Sequence, residues 1–369
     1  MKIAILGTRG IPNNYGGFEQ FAEYISVGLV KKGHQVTVYN PHFHPYGEAT
    51  FNGVSIIKIN SPEDRIGAAG NFIYDYRCLK DAIRRDFDII YEAGYGTCSP
   101  FFYLIRGHEA RLITNMDGLE WKRSKWNYVT RQLMKYFEYL AVKKSHYLIS
   151  DNLGIKEYYK NSFNKDSFYL AYGADPIDVP DIDLLNNYHL KKKDYLMLIA
   201  RFEPENNLEM ILDAYQASER QEPFLVIGNY KTKYGSYLLQ RYKSDRIRFL
   251  GGIYNKAILD SLRYYAKAYL HGHTVGGTNP SLLEAMASNA FIIAHENPFN
   301  SSVLKSSALY FNSVERLKEL FTHLDEYCRL NEDMFIKNNR EEIEKHYNWS
   351  YIVDQHEDIF NEILLRKDL

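Results

Sequence analysis

The chain has 369 residues, 45% hydrophobic and 25% charged, which at roughly 150 residues per domain is two to three domains' worth and excludes a disordered or low-complexity chain. The formal net charge of −1 conceals a split: residues 1–172 carry 22 Lys and Arg against 17 Asp and Glu, a net of +5, and the remainder carries −6. That asymmetry suits an anionic partner for the first half and is too weak for a nucleic-acid binder.

In chain order, Lys2–Leu6 reads as a buried strand bounded by Gly7, and a helix from about Phe18 to Lys32 follows with Phe21, Ile25 and Leu29 on one face. Gly33 stops it before a second strand, Gln35–Tyr39, so the chain opens as a βαβ unit on a parallel sheet. The alternation continues with strands at Val54–Ile59, Asp88–Tyr91, Arg111–Asn115 and Tyr147–Ser150 and helices at Phe72–Arg85 and about Asn127–Lys144. Residues 173–194, rich in Pro and Asp and without periodicity, read as a linker. A second series follows: strands Tyr195–Ile199, Phe224–Ile227, Ile247–Phe249 and Ala268–His271, with helices at Asn206–Tyr215 and from Pro280 to Ala287. The expected architecture is α/β, two tandem Rossmann-like doubly wound domains facing a cleft, with ligands outside the carboxyl ends of the strands. The expected boundaries are 1–172, 173–348 and a C-terminal helix of about 349–369 that packs back on the first domain through Ile352, His356, Ile359 and Ile363.

Three widely spaced cysteines, Cys78, Cys98 and Cys328, lack a Cys-x-x-Cys pair and fit a reducing cytosol. The apolar start ends at Gly7, too short for a signal-peptide core, and no apolar run approaches the ~20 residues that cross a bilayer. A soluble chain, at most bound to a membrane surface, is expected.

The loop from Gly7 to Glu19 holds Gly10, Gly16 and Gly17, which allow close backbone approach to a phosphate or sugar beside a helix N-terminus. A dinucleotide fingerprint fails on two details: the spacing is not G-x-G-x-x-G, and the second strand ends at Asn40 where an acid would hold a ribose. In the second half, Arg201 ends a strand just before a helix, and its guanidinium suits phosphate oxygens unless it pairs with Glu203 or Glu205 on the surface. Gly251 and Gly252 follow another strand, where open backbone groups read a flat base edge. Gly276-Gly277-Thr278-Asn279-Pro280-Ser281-Leu282-Leu283-Glu284 puts a glycine-led loop before a helix whose first amides suit a diphosphate, with a carboxylate one turn in for ribose hydroxyls.

Asp86-Phe87-Asp88 and Asp181-Ile182-Asp183 lie before a strand and in the linker, so both read as structural, and the sequence calls for no metal. His271 and His273 share a strand face but lack a third ligand nearby. Residues 120–144 carry Lys122, Arg123, Lys125, Arg131, Lys135, Lys143 and Lys144 against Glu120 and Glu138, interleaved with aromatic residues including Trp121, Trp126 and Tyr136. This pattern fits an anionic membrane surface, and equally a helix lying on the sheet with its bases solvated.

The ordered set of Gly-Gly loop, KKGHQVTVY, AYGAD, ARFEPENN, FLGG and GGTNPSLLEAMA resembles the nucleotide-sugar glycosyltransferases of the two-domain GT-B fold, family four, over nearly the whole chain. More narrowly, NMDGLEWKRSKW and HGHTVGGTNPSLLEAMA resemble bacterial rhamnosyltransferases of capsule and cell-surface polysaccharide synthesis. The resemblance implies a retaining transferase moving a hexosyl group, L-rhamnose from a dTDP donor, to a lipid-linked oligosaccharide at the inner face of the cytoplasmic membrane, with a nucleotide-sugar co-substrate and no cofactor. It implies catalytic roles for Arg201 on the diphosphate and Asp117 near the reacting sugar. Donor contacts are implied for Gly16, Gly17, Arg201, Asn206, Gly251, Gly277, Thr278, Asn279, Ser281, Leu282 and Glu284. Three positions depart from the family pattern: Asn206 replaces a lysine, Gly276 replaces the first glutamate of a Glu-x7-Glu pair, and Met116 replaces the histidine before Asp117. Two other readings remain, the same fold using a UDP-hexose and a catalytically weak sugar-nucleotide-binding or scaffold subunit.

Overall fold

Apolar runs of four or five residues, short enough to be strands and buried on both faces, build two parallel sheets. The computed structural model describes residues 1–14, 16–124 and 126–366; Tyr15, Lys125 of the basic run, and residues 367–369 of the expected C-terminal helix lie outside the described residues. The chain forms two units, Met1–Lys122 with Trp126–Tyr172 and Trp349–Leu369, and Gly173–Asn348 with Arg123–Lys125.

The first unit contains β1 (Lys2–Leu6), β2 (Gln35–Pro41), β3 (Thr50–Phe51), β4 (Val54–Ile59), β5 (Ile89–Glu92), β6 (Arg111–Asn115), β7 (Tyr147–Ser150) and β8 (Phe168–Tyr169). They lie in the order β3-β4-β2-β1-β5-β6-β7-β8, parallel except for the β3–β4 hairpin. Its helices are α1 (Gly17–Lys31), α2 (Glu63–Ile66), α3 (Gly70–Ile83), α4 (Tyr128–Lys144) and α5 (Leu153–Phe163). In the second unit β9 (Leu196–Ile199), β10 (Phe224–Ile227), β11 (Ile247–Gly251), β12 (Ala268–His271), β13 (Ile292–His295) and β14 (Leu309–Phe311) follow the order β11-β10-β9-β12-β13-β14. Its helices are α6 (Leu208–Ala217), α7 (Lys233–Arg241), α8 (Lys256–Tyr265), α9 (Pro280–Ala287), α10 (Pro298–Leu304), α11 (Val314–Thr322) and α12 (Leu324–Glu342).

Both sheets are doubly wound. The strand order reverses between β1 and β5 in one and between β9 and β12 in the other, and such reversals open the crevice in which ligands bind. The helix expected from Asn206 instead starts at Leu208, because Pro204–Asn206 forms a tight 3₁₀ turn and Asn207 takes a left-handed φ of 53°. Asp88 accepts the backbone N–H of Lys2 at 2.6 Å, Asp86 accepts the Lys2 ammonium at 2.8 Å, and Asp181 caps the turn Ile182–Tyr188.

The last helix, α13 (Trp349–Leu365), lies on α1 in the first unit. Its buried stripe is Trp349, Ile352, Val353, His356, Phe360 and Ile363, so Phe360 takes the place expected of Ile359. Gly28 is glycine because a Cβ there would stand 2.4 Å from Val353. Tyr24 stacks on Trp349 at 4.4 Å, and Lys32 reaches Asp354 at 2.6 Å and Glu357 at 2.8 Å. His356 sits among Phe21, Tyr91 and Phe360, and burial pushes its pKa down to about 4. A folded-state value below the unfolded value of ~6.5 means that stability is full above pH 6.5 and falls as pH drops toward 4, by about 1.4 kcal/mol per pH unit. His356→Phe is therefore expected to flatten the acid limb of a melting-temperature profile between pH 6.5 and 4, leaving the neutral limb unchanged in slope.

Candidate functional site

At the second unit's strand reversal, the loop after β9 and the loop after β12 are fastened together. Asn206, 3% exposed, donates its side-chain amide to the Arg201 carbonyl at 2.8 Å. Asn207 donates to the Gly272 carbonyl at 2.8 Å, and Thr274 gives its N–H at 3.1 Å and its hydroxyl at 2.7 Å to the Glu205 carbonyl. A Cβ on Gly272 would stand 2.2 Å from the Asn206 carbonyl oxygen, so only glycine permits this approach. Asn206, expected at the donor, is a scaffold residue: buried, uncharged and committed to Arg201's backbone.

Arg201 is exposed at the mouth of this joint and forms no ion pair among the described residues. Of the two surface acids considered for it, Glu205 is buried and accepts the Ser124 hydroxyl instead. Beneath Arg201, His271 and His273 stack with ring centroids 4.4 Å apart. Burial, reinforced by His295, pushes His271 down to about 3. His273 is held well below the usual imidazole range by burial, by His271, and by the charges of Arg201 and Arg123. Both rings are neutral, so the positive charge at this end of the sheet belongs to arginine.

The next turn presents Gly276 at φ 123°, where side chains are disfavoured and nothing lies within 4 Å of a would-be Cβ. A glutamate is excluded there by backbone conformation. Asn279 caps α9, accepting the Ser281 N–H at 3.0 Å and hydroxyl at 2.9 Å, while Leu282 and Leu283 both donate to the Asn279 carbonyl. The first-turn amides expected to be open to a diphosphate are thus engaged within the cap. Leu282 sends its side chain into the core and Thr278 is buried, leaving Gly277, Asn279 and Ser281 partly accessible. Glu284 is gripped by Arg263, itself only 2% exposed, which fixes the carboxylate one turn below the loop. Gly251 ends β11 at φ 76° and accepts the Gly228 N–H at 2.9 Å, so its carbonyl helps hold the turn.

In the first unit, Gly16 and Gly17 start α1 and Asp117 follows β6. Asn40 explains the glycine loop: its carboxamide accepts the Ile11 N–H at 3.1 Å and donates to the Ile11 carbonyl at 2.7 Å. Gly10, at φ 92°, lies so close that a Cβ would stand 2.2 Å from Asn40. Gly16 caps α1 without a side chain, and the Glu19 carboxylate takes the Arg9 N–H at 2.8 Å and bonds Gly16's backbone. A second anion is disfavoured at that helix end, so the loop suits hydroxyls better than phosphate. Asp117 accepts from the Tyr172 hydroxyl, whose pKa burial and this carboxylate drive far upward. The residues missed from sequence are Arg263 and Glu19, neither of which stands in a recognisable local motif, while Asn40 was noticed for the acid it replaces and not for its hold on Ile11.

Residues 185–342 match the family of glycosyl transferases group 1, and residues 1–175 match a domain of unknown function, DUF1972. The likeness to that family spans residues 185–342, and the chain as a whole has the GT-B fold. Sucrose-phosphate synthase from Thermosynechococcus elongatus has the same fold at a TM-score of 0.82 and 16% identity, with 98% of each chain covered. HepE of Anabaena, solved with UDP-glucose, superposes at 0.74 with 11% identity over 98% of this chain and 99% of that one. A trehalose-phosphate synthase (UDP-forming) from Burkholderia xenovorans superposes at 0.75 with 12% identity over 98% and 100%. No curated protein matches the chain.

In this chain, restoring the lysine of the family pattern at position 206 does not restore a cation to the surface. Asn206→Lys buries an unpaired ammonium and removes the bond to Arg201, and is expected to cost about 3 kcal/mol in denaturant unfolding. It is also expected to weaken nucleotide binding, measured by calorimetry.

Proposed function

We propose that this glycosyltransferase moves a hexosyl group from a nucleoside-diphosphate sugar to a lipid-linked glycan at a membrane surface, retaining anomeric configuration. The observation that carries the reading is the convergence, at one strand reversal, of the exposed Arg201 and a carboxylate, Glu284, locked by a buried arginine. Arg201 meets the diphosphate, on which leaving-group charge grows as the glycosidic bond to it breaks, and stabilises that charge in place. Glu284 accepts from ribose hydroxyls. We assign Asp117, in the first unit, to the acceptor, and no side chain is required as a covalent nucleophile.

The resemblance of HGHTVGGTNPSLLEAMA and NMDGLEWKRSKW supports dTDP-rhamnose as the donor. A UDP-hexose is the second reading, favoured by the solved proteins of this fold that hold UDP or UDP-glucose. A thermal-shift panel of dTDP, UDP, GDP and ADP sugars decides between them: stabilisation by dTDP-rhamnose above the rest is expected, and a preference for UDP sugars transfers the assignment. Arg201→Ala and Glu284→Ala are each expected to lower transfer at least a hundredfold. Wild-type nucleotide binding with no turnover on any acceptor would instead support a binding or scaffold subunit.

The membrane partner is supported by α4. One face, Met134, Phe137, Glu138, Ala141 and Val142, is buried, and its only acid, Glu138, is held inside by Tyr158 and Tyr159. The other face exposes Tyr128 (76%), Val129 (74%), Leu133, Tyr136 and Tyr139 beside Arg131, Lys135, Lys143 and Lys144. Among the described residues no helix is long and apolar enough to cross a membrane. Aromatic side chains among exposed cations, Lys135 lying over Trp121 and Lys143 over Tyr139, suit an anionic headgroup layer on the cytoplasmic side. In vesicle sedimentation, binding to phosphatidylglycerol-containing vesicles and not to neutral ones is expected. Lys135→Glu with Lys143→Glu, or about 0.5 M salt, is expected to abolish it.

A further inference from the structure

The first unit's strand reversal buries an acid that none of the chemistry above uses. Glu92 ends β5, beside β1, with no exposure to solvent, and neither of its carboxyl oxygens has a hydrogen-bond partner. Tyr91 faces Phe21 and His356, so Glu92 points to the opposite side of the sheet. There its Oε2 lies 3.0 Å from the place a Cβ on Gly7 would take, so the carboxyl packs against the first residue of the glycine loop. α3 contributes a second buried acid: Asp75 accepts the Thr97 hydroxyl, in the loop that follows Glu92.

No cation compensates either carboxyl. In the sheet Glu92 stands between Leu6 and Thr114, and the Thr114 hydroxyl is paired with Ser145 at 2.7 Å. The Cys98 thiol donates to the Gly94 carbonyl at 3.0 Å, and the Tyr74 hydroxyl of α3 donates to the Tyr39 carbonyl at 2.9 Å. Cys78 of α3 is a buried thiol, and Glu63 of α2 is a third acid, engaged by Arg9 of the loop. Among the described residues no Lys, Arg or His forms a hydrogen bond or ion pair with Glu92 or Asp75. A carboxylate without a partner is too costly to bury, and such a group keeps its proton instead. Burial pushes Asp75 up to about 7, helped by the charge of Glu63, and Glu92 well above its ordinary range, helped by Asp75. The N–H next to Glu92, on Ala93, is spent on the Leu6 carbonyl at 3.0 Å, so an ionised Glu92 needs water, and the chain lying on it is Gly7.

We infer that Glu92, with Asp75, is a pH-sensitive latch under the glycine loop: the protonated acids keep residues 7–14 closed on the first unit, and loss of a proton opens them. Folded values above the unfolded ones of ~4 mean that the folded state holds more protons, so the closed loop is favoured at low pH and lost as pH rises. The latch does not depend on the donor reading; it governs access to the first unit's crevice, whatever binds there.

Hydrogen exchange of the full-length protein between pH 6 and 9, read as protection factors so that the intrinsic pH dependence is removed, tests this. The probes are the amides of Gly10 and Ile11, bonded to the Thr8 hydroxyl and the Asn40 carboxamide. In the wild type their protection is expected to fall by roughly tenfold per pH unit above the first ionisation, while β9 and β10 keep theirs. Glu92→Gln keeps the shape and cannot ionise; alone it is expected to reduce the fall, and with Asp75→Asn to abolish it. Protection independent of pH in the wild type overturns the inference, as does a fall that persists unchanged in the double variant or that β9 and β10 share. If the variants do not fold, infrared spectroscopy of the wild type decides. An un-ionised carboxylic-acid carbonyl band at pH 6 that disappears in step with protection supports the latch; a band absent at pH 6, or unchanged while protection falls, overturns it.

Discussion

Everything the second unit presents to a ligand depends on how closely two loops approach each other. The loop after β9 carries Arg201, the loop after β12 carries the histidines and the glycine turn, and they touch at Gly272, where no side chain fits against the Asn206 carbonyl. Backbone carbonyls brought this near would repel unless donors stood between them, and the donors are the amides of Asn206 and Asn207 and both donors of Thr274. A lysine at 206 would set an unpaired charge in this buried joint, where the neutral carboxamide donates at no such cost. The departure from the family pattern is a change of construction at the joint.

A charged group held by an internal partner recurs in both units. Arg263 holds Glu284 from inside the fold, Ser124 holds Glu205, and Tyr172 holds Asp117. Groups fixed in advance lose little freedom when a ligand arrives. In the first unit Asn40 applies the idea to backbone, using both ends of one carboxamide on Ile11 to set the glycine loop. That explains why an asparagine stands where dinucleotide-binding folds place an acid: the residue faces the loop instead of a ribose.

Much of the fold was legible from the chain because buried parallel strands leave uninterrupted apolar runs such as Ile3–Leu6 and Phe224–Ile227 that chemistry alone makes conspicuous. Several elements escaped for the converse reason. β8 and β14 span two and three residues, and α8 buries Asp260, Ser261 and Arg263 beside Leu262 and Tyr265, so its covered face does not read as apolar. Within the site, Arg201 and Glu284 were visible as charged residues at strand and helix ends, whereas Arg263 hides in a tyrosine-rich helix and acts only through a contact made 21 residues away. Gly276 was visible as a gap in a motif, but its cause, a backbone angle of 123°, is a tertiary property. On α4, basic residues interleaved with aromatic ones fitted a membrane surface and a helix on the sheet alike, and the buried set Met134, Phe137, Glu138, Ala141 and Val142 is a tertiary property.

The return of α13 to the first unit has a consequence for biosynthesis. The first 172 residues leave the ribosome with β1 to β8 complete, yet the cover for Phe21, Tyr91 and Gly28 is encoded after the whole second unit. At ~5–20 residues per second, that face waits on the order of ten to thirty-five seconds for its last helix. During that interval the nascent domain exposes an apolar groove shaped to receive one amphipathic helix. Cellular holdases bind such surfaces, and premature termination anywhere in the second unit would leave the groove open permanently.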